Sequence, residues 1–147
     1  MSQRLDYKTI SPEGYRAMAG LSRVVSESGF DKALIHLVKL RVSQINGCAY
    51  CCWLHAKDLR AVGVKQAHID VLPAWREANS FSAQERAALA WAEAVTLVSQ
   101  THAPDDVYQE ALKQFGDKLM VALTYLIIEI NAWNRLAIPF RMQPPAD

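Results

Sequence analysis

The sequence predicts an all-α protein, and three observations carry that prediction. Apolar residues recur at three- and four-residue spacing through most of the chain, no stretch alternates apolar and polar residues as a half-buried strand would, and Ser, Asp, Gly and Pro stand where helices start and stop. At 147 residues the chain is expected to form one domain with a sizeable core over about residues 5–140, leaving 141–147 as a loose tail.

Ser11-Pro12-Glu13 reads as a helix start, with proline where its missing N–H costs nothing and a carboxylate that the helix dipole favours. This helix is expected to run to about Ser28 and to end at Gly29. Asp31 caps a second helix, whose Leu34, Leu37, Val38, Val42 and Ile45 share one face and which delivers the chain to a turn at Asn46-Gly47. The next helix opens at Cys48 and closes near Val62, before Gly63, and a short helix follows from about Lys65 to Leu72, broken at Pro73. Ser82 and Glu85 form a capping box for an alanine-rich helix reaching about Ser99. Pro104 to Phe115 is a further amphipathic helix, Gly116-Asp117 a stop and start, and Lys118 to about Leu136 a helix apolar on nearly every side. Such a helix must be covered all round, either centrally or by another subunit.

Every cysteine in the chain, Cys48, Cys51 and Cys52, falls within the eight residues that end at His55. Offsets of three, four and seven place all four side chains on one helical face at the start of a helix. Across one turn Cys48 and Cys51 lie at roughly the 5–6 Å Cα separation that a disulfide needs, so the pair can open and close. Three clustered cysteines in a reducing compartment point to redox or metal chemistry rather than to a structural staple. Structural zinc would take two separated ligand pairs, and no second Cys/His pair exists. A haem attachment would need histidine directly after Cys51, where Cys52 stands. No metal or cofactor is therefore expected, unless His36 or Cys52 completes a zinc shell.

Composition narrows the partners. A formal net charge of +1 offers no basic stripe for nucleic acid and no pull toward an anionic membrane. No glycine-rich loop suits phosphate, the apolar run from Leu119 to Ile128 is well short of the ~20 residues of a membrane span, and the N-terminus lacks the apolar segment of a signal peptide. A cytoplasmic location and small or uncharged partners are expected.

Residues 37–51, Leu-Val-Lys-Leu-Arg-Val-Ser-Gln-Ile-Asn-Gly-Cys-Ala-Tyr-Cys, followed by His55 and Lys57-Asp58-Leu-Arg60, resemble the alkylhydroperoxidase D-like branch of the carboxymuconolactone decarboxylase family. Asn131-Ala-Trp-Asn-Arg-Leu-Ala-Ile138 is similar to the end of the same domain. The resemblance implies an all-helical fold that assembles into homo-oligomers, often trimers or hexamers, and antioxidant reduction of a small hydroperoxide at the expense of an external thiol or dithiol. It assigns Cys51 as the peroxidatic cysteine, Cys48 as the resolving one and His55 as the base. His36 stands twelve residues before Cys48, where the pattern has a glutamate, and cannot supply a negative charge to an imidazolium. A weaker base at His55 is the expectation.

Proximity to the helix N-terminus, by contrast, favours Cys48 as the lower-pKa thiol. Cys52 reads as a small buried hydrophobe or a competing resolver. His68 and His102 read as surface residues, and Trp53 as core or as a wall of the site. Two rival functions share these residues, a thiol switch or disulfide-exchange protein and, less well supported, a carboxymuconolactone-type decarboxylase.

Overall fold

The structure, a computed structural model, describes residues 2–146, and those residues form helices joined by short turns, with no strand among them. In order these are α1 (Tyr7–Ile10), α2 (Pro12–Ser26), α3 (Lys32–Asn46), α4 (Ala49–Ala61), α5 (Gln66–Asp70), a 3₁₀ turn (Leu72–Ala74), α6 (Ala83–Thr96), α7 (Val98–Thr101) and α8 (Asp105–Ala137).

The caps explain where the helices begin. Asp31 accepts the N–H of Ala33 at the head of α3, and Ser82 and Glu85 complete a reciprocal capping box on α6. Ser11 behaves differently from the expected cap: its carbonyl accepts the N–H of Tyr15, but its side chain makes no bond to the α2 backbone, and its hydroxyl donates to Glu13 instead. Gly116 (φ 67°, ψ 170°) breaks the regular backbone of α8, so the two helices expected on either side of it are the two arms of one bent element. The alanine-rich helix stops at Thr96, short of Ser99, because the chain re-enters a separate turn of helix in α7 tied back by Thr101 Oγ1 to the Ala94 carbonyl. Pro73 sits inside the 3₁₀ turn, where a missing N–H is tolerated.

α3 lies between two apolar clusters. Val38 and Val42 face one formed with Val25, Trp91, Ile127 and Ile130, and Leu37 and Leu40 face another formed with Leu59, Leu72, Phe81 and Leu89. Each fully buried aliphatic side chain contributes roughly 1.5–3 kcal/mol, so a helix buried on two sides is held firmly. α4 folds back against α3 through the turn at Gly47, and α8 closes the other side. The second arm of α8 buries Met120, Leu123, Leu126, Ile127 and Ile130 but leaves Val121, Tyr125 and Ile128 exposed. Its apolar character on all sides is therefore only partly accounted for within one chain. Residues Phe140 to Met142 pair with the N-terminal segment: Arg4 N–H donates to the Phe140 carbonyl and Tyr7 Oη to Met142 Sδ.

Gly47 ends α3 in the left-handed region (φ 72°), where a side chain is strained. Gly47→Ala is expected to lower the unfolding free energy by about 1–2 kcal/mol in chemical denaturation, although its Cβ would meet no neighbouring atom. Unchanged stability would show that the turn relaxes freely.

Candidate active site

The turn that ends α3 places Cys48 at the N-cap of α4, in extended backbone (φ −84°, ψ 98°) with its sulfur accepting the N–H of Cys51 at 3.4 Å. A cysteine thus takes the capping role that serine usually fills. Cys48 and Cys51 are both buried, at 1% and 4% exposure, and both are free thiols.

A polar network lies beneath them. Asn46 Nδ2 donates to Asn131 Oδ1 (3.0 Å) and Asn134 Oδ1 (2.9 Å), Asn134 Nδ2 donates to Ser43 Oγ (3.1 Å), and Ser43 Oγ donates to the Lys39 carbonyl (2.7 Å). The end of α3 and the end of α8 are locked together directly under the thiols. Asn134 is fully buried and its amide also favours the thiolate of Cys48.

The two sulfurs are unequal. Cys48 is pulled down to about 7, chiefly because the Cys51 thiol donates to it, with help from the Cys51 N–H and Asn134 against the opposing effect of burial. Cys51 is pushed up, because its proton is the one donated to Cys48 and because it is buried. Cys48 is thus the more acidic sulfur of the pair, and Cys51 the one that holds its proton more tightly. Cys52 points elsewhere, packing against the Leu37–Leu59 cluster, and burial raises its thiol to about 11.

Cys51, and not Cys48, reaches a cavity of about 170 Å³, which it lines together with His55, Leu54, Tyr50 and Trp133. Tyr7, Tyr15 and Met142 complete the rim, so the N-terminal segment and the chain end meet at its mouth. Lys39 also lines the cavity and is paired with the buried carboxylate of Glu129 at 3.0 and 3.1 Å. Ser22 and Trp133 also donate to Glu129.

His55 is buried, and its Nδ1 lies 3.4 Å from Nδ1 of His36 and 3.5 Å from Oδ2 of Asp58. His36 Nδ1 is 3.6 Å from the same Asp58 oxygen. Burial, then Lys39 and His36, push His55 down to about 3, whereas the Asp58 carboxylate pulls the other way. Burial prevails, because Asp58 is about a third exposed and water screens its charge. His55 is a neutral imidazole at pH 7. With Nδ1 directed at His36 and Asp58, Nε2 is its remaining basic atom.

Of the four site residues expected from the sequence, Cys48, Cys51 and His55 lie along the start of α4, Cys51 and His55 line the cavity, and His36 meets His55 and Asp58 from α3 without lining that cavity. Asp58 and Asn134 were not singled out as functional. Asp58 was legible in principle, being three residues after His55 and therefore on its face of the helix. Asn134 lies in the later motif, but nothing in its spacing could show that it meets Cys48.

The sequence profile of the carboxymuconolactone decarboxylase family matches residues 12–94, from α2 through α6. The chain belongs to the carboxymuconolactone decarboxylase family. It is 37% identical over 138 residues to the uncharacterized protein YdfG of Bacillus subtilis strain 168, covering 94% of each chain. Among solved structures it is similar to a protein of unknown function from Agrobacterium tumefaciens described as a candidate antioxidant defence protein AhpD, with 41% identity, a TM-score of 0.96, and coverage of 99% of this chain and 100% of that one. The debrominase Bmp8, solved with 2,3,4-tribromopyrrole, shares the fold at a TM-score of 0.81 with 17% identity, over 94% of this chain and 74% of its own. The AhpD-like, all-helical character expected from the Cys48–His55 string is thereby established.

His55 makes stability depend on pH. Its folded pKa lies below the ordinary 6.5, so the unfolded chain binds a proton that the folded chain refuses. The stability present above pH 6.5 should fall as pH drops toward 3, by about 1.4 kcal/mol per unit from this one group. Urea denaturation at pH 7 and pH 5 should show a loss that is about 2 kcal/mol smaller in His55→Gln. An equal loss in both proteins would remove His55 as its source.

Proposed function

We propose that this protein is a thiol-dependent peroxidase that reduces organic hydroperoxides, in antioxidant defence, through the Cys48–Cys51 dithiol. The observation that carries the reading is that Cys51 and the neutral base His55 line the same small cavity while Cys48 waits directly behind Cys51.

Cys48 is the more acidic thiol, but a peroxide in the cavity meets Cys51 first. Cys51 passes its proton to His55, and its sulfur attacks the distal oxygen of the hydroperoxide. The O–O bond breaks, Cys51 becomes a sulfenic acid, and the departing alkoxide takes the proton from His55 to leave as the alcohol. The Cys48 thiolate then displaces hydroxide from Cys51, giving a disulfide, and the hydroxide leaves as water after taking a proton from solvent. An external dithiol, or two thiols, restores the pair by accepting its oxidation. The charge that the glutamate of the family pattern would supply comes in this reading from Asp58, with His36 holding the ring's Nδ1 edge.

Burial favours this reading over disulfide exchange with a protein partner, because thiols only 1% and 4% exposed admit a small molecule but not another protein's cysteine. Decarboxylation offers no use for the dithiol. The likeness to the debrominase is one of fold alone.

The protein is further proposed to act as a homo-oligomer, a trimer or hexamer. Val121, Tyr125 and Ile128 on α8, next to Val24 on α2, present an exposed apolar face. Tyr125→Glu should shift light-scattering mass to the single chain; an unchanged mass would place the interface elsewhere.

With excess dithiol, the purified protein should consume cumene hydroperoxide over many turnovers. Cys51→Ser should be inactive, and Cys48→Ser should stop after one peroxide per chain with Cys51 held as sulfenic acid. Asp58→Asn should lower kcat/KM by roughly 10- to 100-fold. Full activity in Cys51→Ser would overturn the nucleophile assignment, and single oxidation without turnover would turn the reading to a redox switch.

A further inference from the structure

Three lone-pair atoms on three side chains meet at one point between α3 and α4: Nδ1 of His36, Nδ1 of His55 and Oδ2 of Asp58, separated by 3.4, 3.5 and 3.6 Å. Hydrogen bonding alone satisfies this triangle poorly. If one Nδ1 carries a proton, that N–H serves one neighbour well and leaves the other two atoms facing lone pair to lone pair. If both carry protons, both N–H groups must reach for the same Asp58 oxygen, at separations of 3.5 and 3.6 Å that are long for hydrogen bonds. A cation at the centre satisfies all three at once.

We propose that His36, His55 and Asp58 form a binding site for a tetrahedral divalent cation of the zinc class, distinct from the cysteine pair. The spacing selects the geometry. Metal–ligand bonds of 2.0–2.2 Å put tetrahedral ligands about 3.3–3.6 Å apart, whereas octahedral neighbours at the same bond length would be only about 2.8–3.1 Å apart. The observed edges fall in the tetrahedral range on all three sides. The two rings stand with centroids 5.5 Å apart and planes 31° from parallel, and the Nδ1 atom of each lies within 3.6 Å of the Asp58 oxygen.

The donor set is two neutral imidazoles and one carboxylate, a common combination for zinc that leaves a fourth position open. Entry is available, since the His36 and Asp58 side chains are 22% and 32% exposed while His55, at 9%, forms the inner wall. Of the two cations that act on these imidazoles, Lys39 and Lys32, Lys39 is compensated by Glu129.

One consequence rests on the peroxidase reading. A metal on His55 Nδ1 holds the ring proton on Nε2, which can then no longer accept a proton from Cys51. Metal occupancy and thiol activation are mutually exclusive.

Cobalt(II) provides a spectroscopic probe that does not depend on any activity. Titrated into the Cys48→Ser/Cys51→Ser protein, one equivalent of Co²⁺ should produce the intense visible bands of a tetrahedral site, and Zn²⁺ should abolish them. Adding Asp58→Asn or His36→Gln to that background should weaken binding roughly 10- to 100-fold. The wild-type protein with its cysteines oxidised to the disulfide should give the same bands, which covers the case of a serine variant that fails to fold. Absence of tetrahedral bands in both thiol-blocked forms overturns the site. So does undiminished binding in Asp58→Asn, or cobalt held only by the reduced protein with sulfur-to-metal charge transfer. None of these results depends on whether peroxide is turned over.

Discussion

The site depends on a cysteine acting as a helix cap. Gly47 turns the chain out of α3 in a conformation that suits glycine, and Cys48 receives the first free N–H groups of α4 on its sulfur rather than on a hydroxyl oxygen. Any thiol there gains thiolate character from the helix N-terminus, and the Asn134 amide adds to it. The same contact keeps the proton on Cys51, because the sulfur that accepts hydrogen bonds makes its neighbour the donor. One backbone turn thereby sets the acidity of one thiol and the protonation of the other.

That turn is held from both sides. The Ser43–Asn46 end of α3 and the Asn131–Asn134 stretch of α8 hydrogen-bond to each other, and both are anchored by the buried aliphatic residues flanking them. A fully buried asparagine without partners would cost a few kcal/mol, so these amides restrict how α3 and α8 can sit in addition to the apolar packing. The cavity follows from the same arrangement: Cys51 and His55 present one face of α4 to it, α8 contributes Ile130 and Trp133, and the chain ends supply Tyr7 and Met142. Around His55, burial outweighs a solvent-screened carboxylate, and the ring stays neutral beside a charged neighbour.

Much of this was legible in the sequence because local rules governed it. The Ser82–Glu85 capping box, the stop at Gly47 and the break at Gly116 each involve residues within a few positions of one another, and each stands where the pattern put it. The convergence of Cys48, Cys51 and His55 is a matter of helical spacing and was equally readable. His36 could be placed only through its position in a motif, since its meeting with His55 spans two helices. Three features escaped. The role of Asn134 needs the docking of α8 against α3, the Lys39–Glu129 pair joins distant helices, and the meeting of Asp58 with His36 likewise spans two helices. The difference between the thiols was half readable: the helix end indicated Cys48 as the more acidic, but only the fold shows that Cys51 is the sulfur lining the cavity.

Paired action of Cys48 and Cys51 on a molecule admitted by the cavity, with Cys52 a bystander, is the chemistry proposed for this protein. Its most direct test is to mix the fully reduced protein with one equivalent of an organic hydroperoxide, block the remaining thiols by alkylation under denaturing conditions, and map them by peptide mass spectrometry. The account predicts one alcohol released per chain, a Cys48–Cys51 disulfide, and Cys52 alone alkylated. Three alkylated cysteines with the hydroperoxide intact, or a disulfide that includes Cys52, would contradict it.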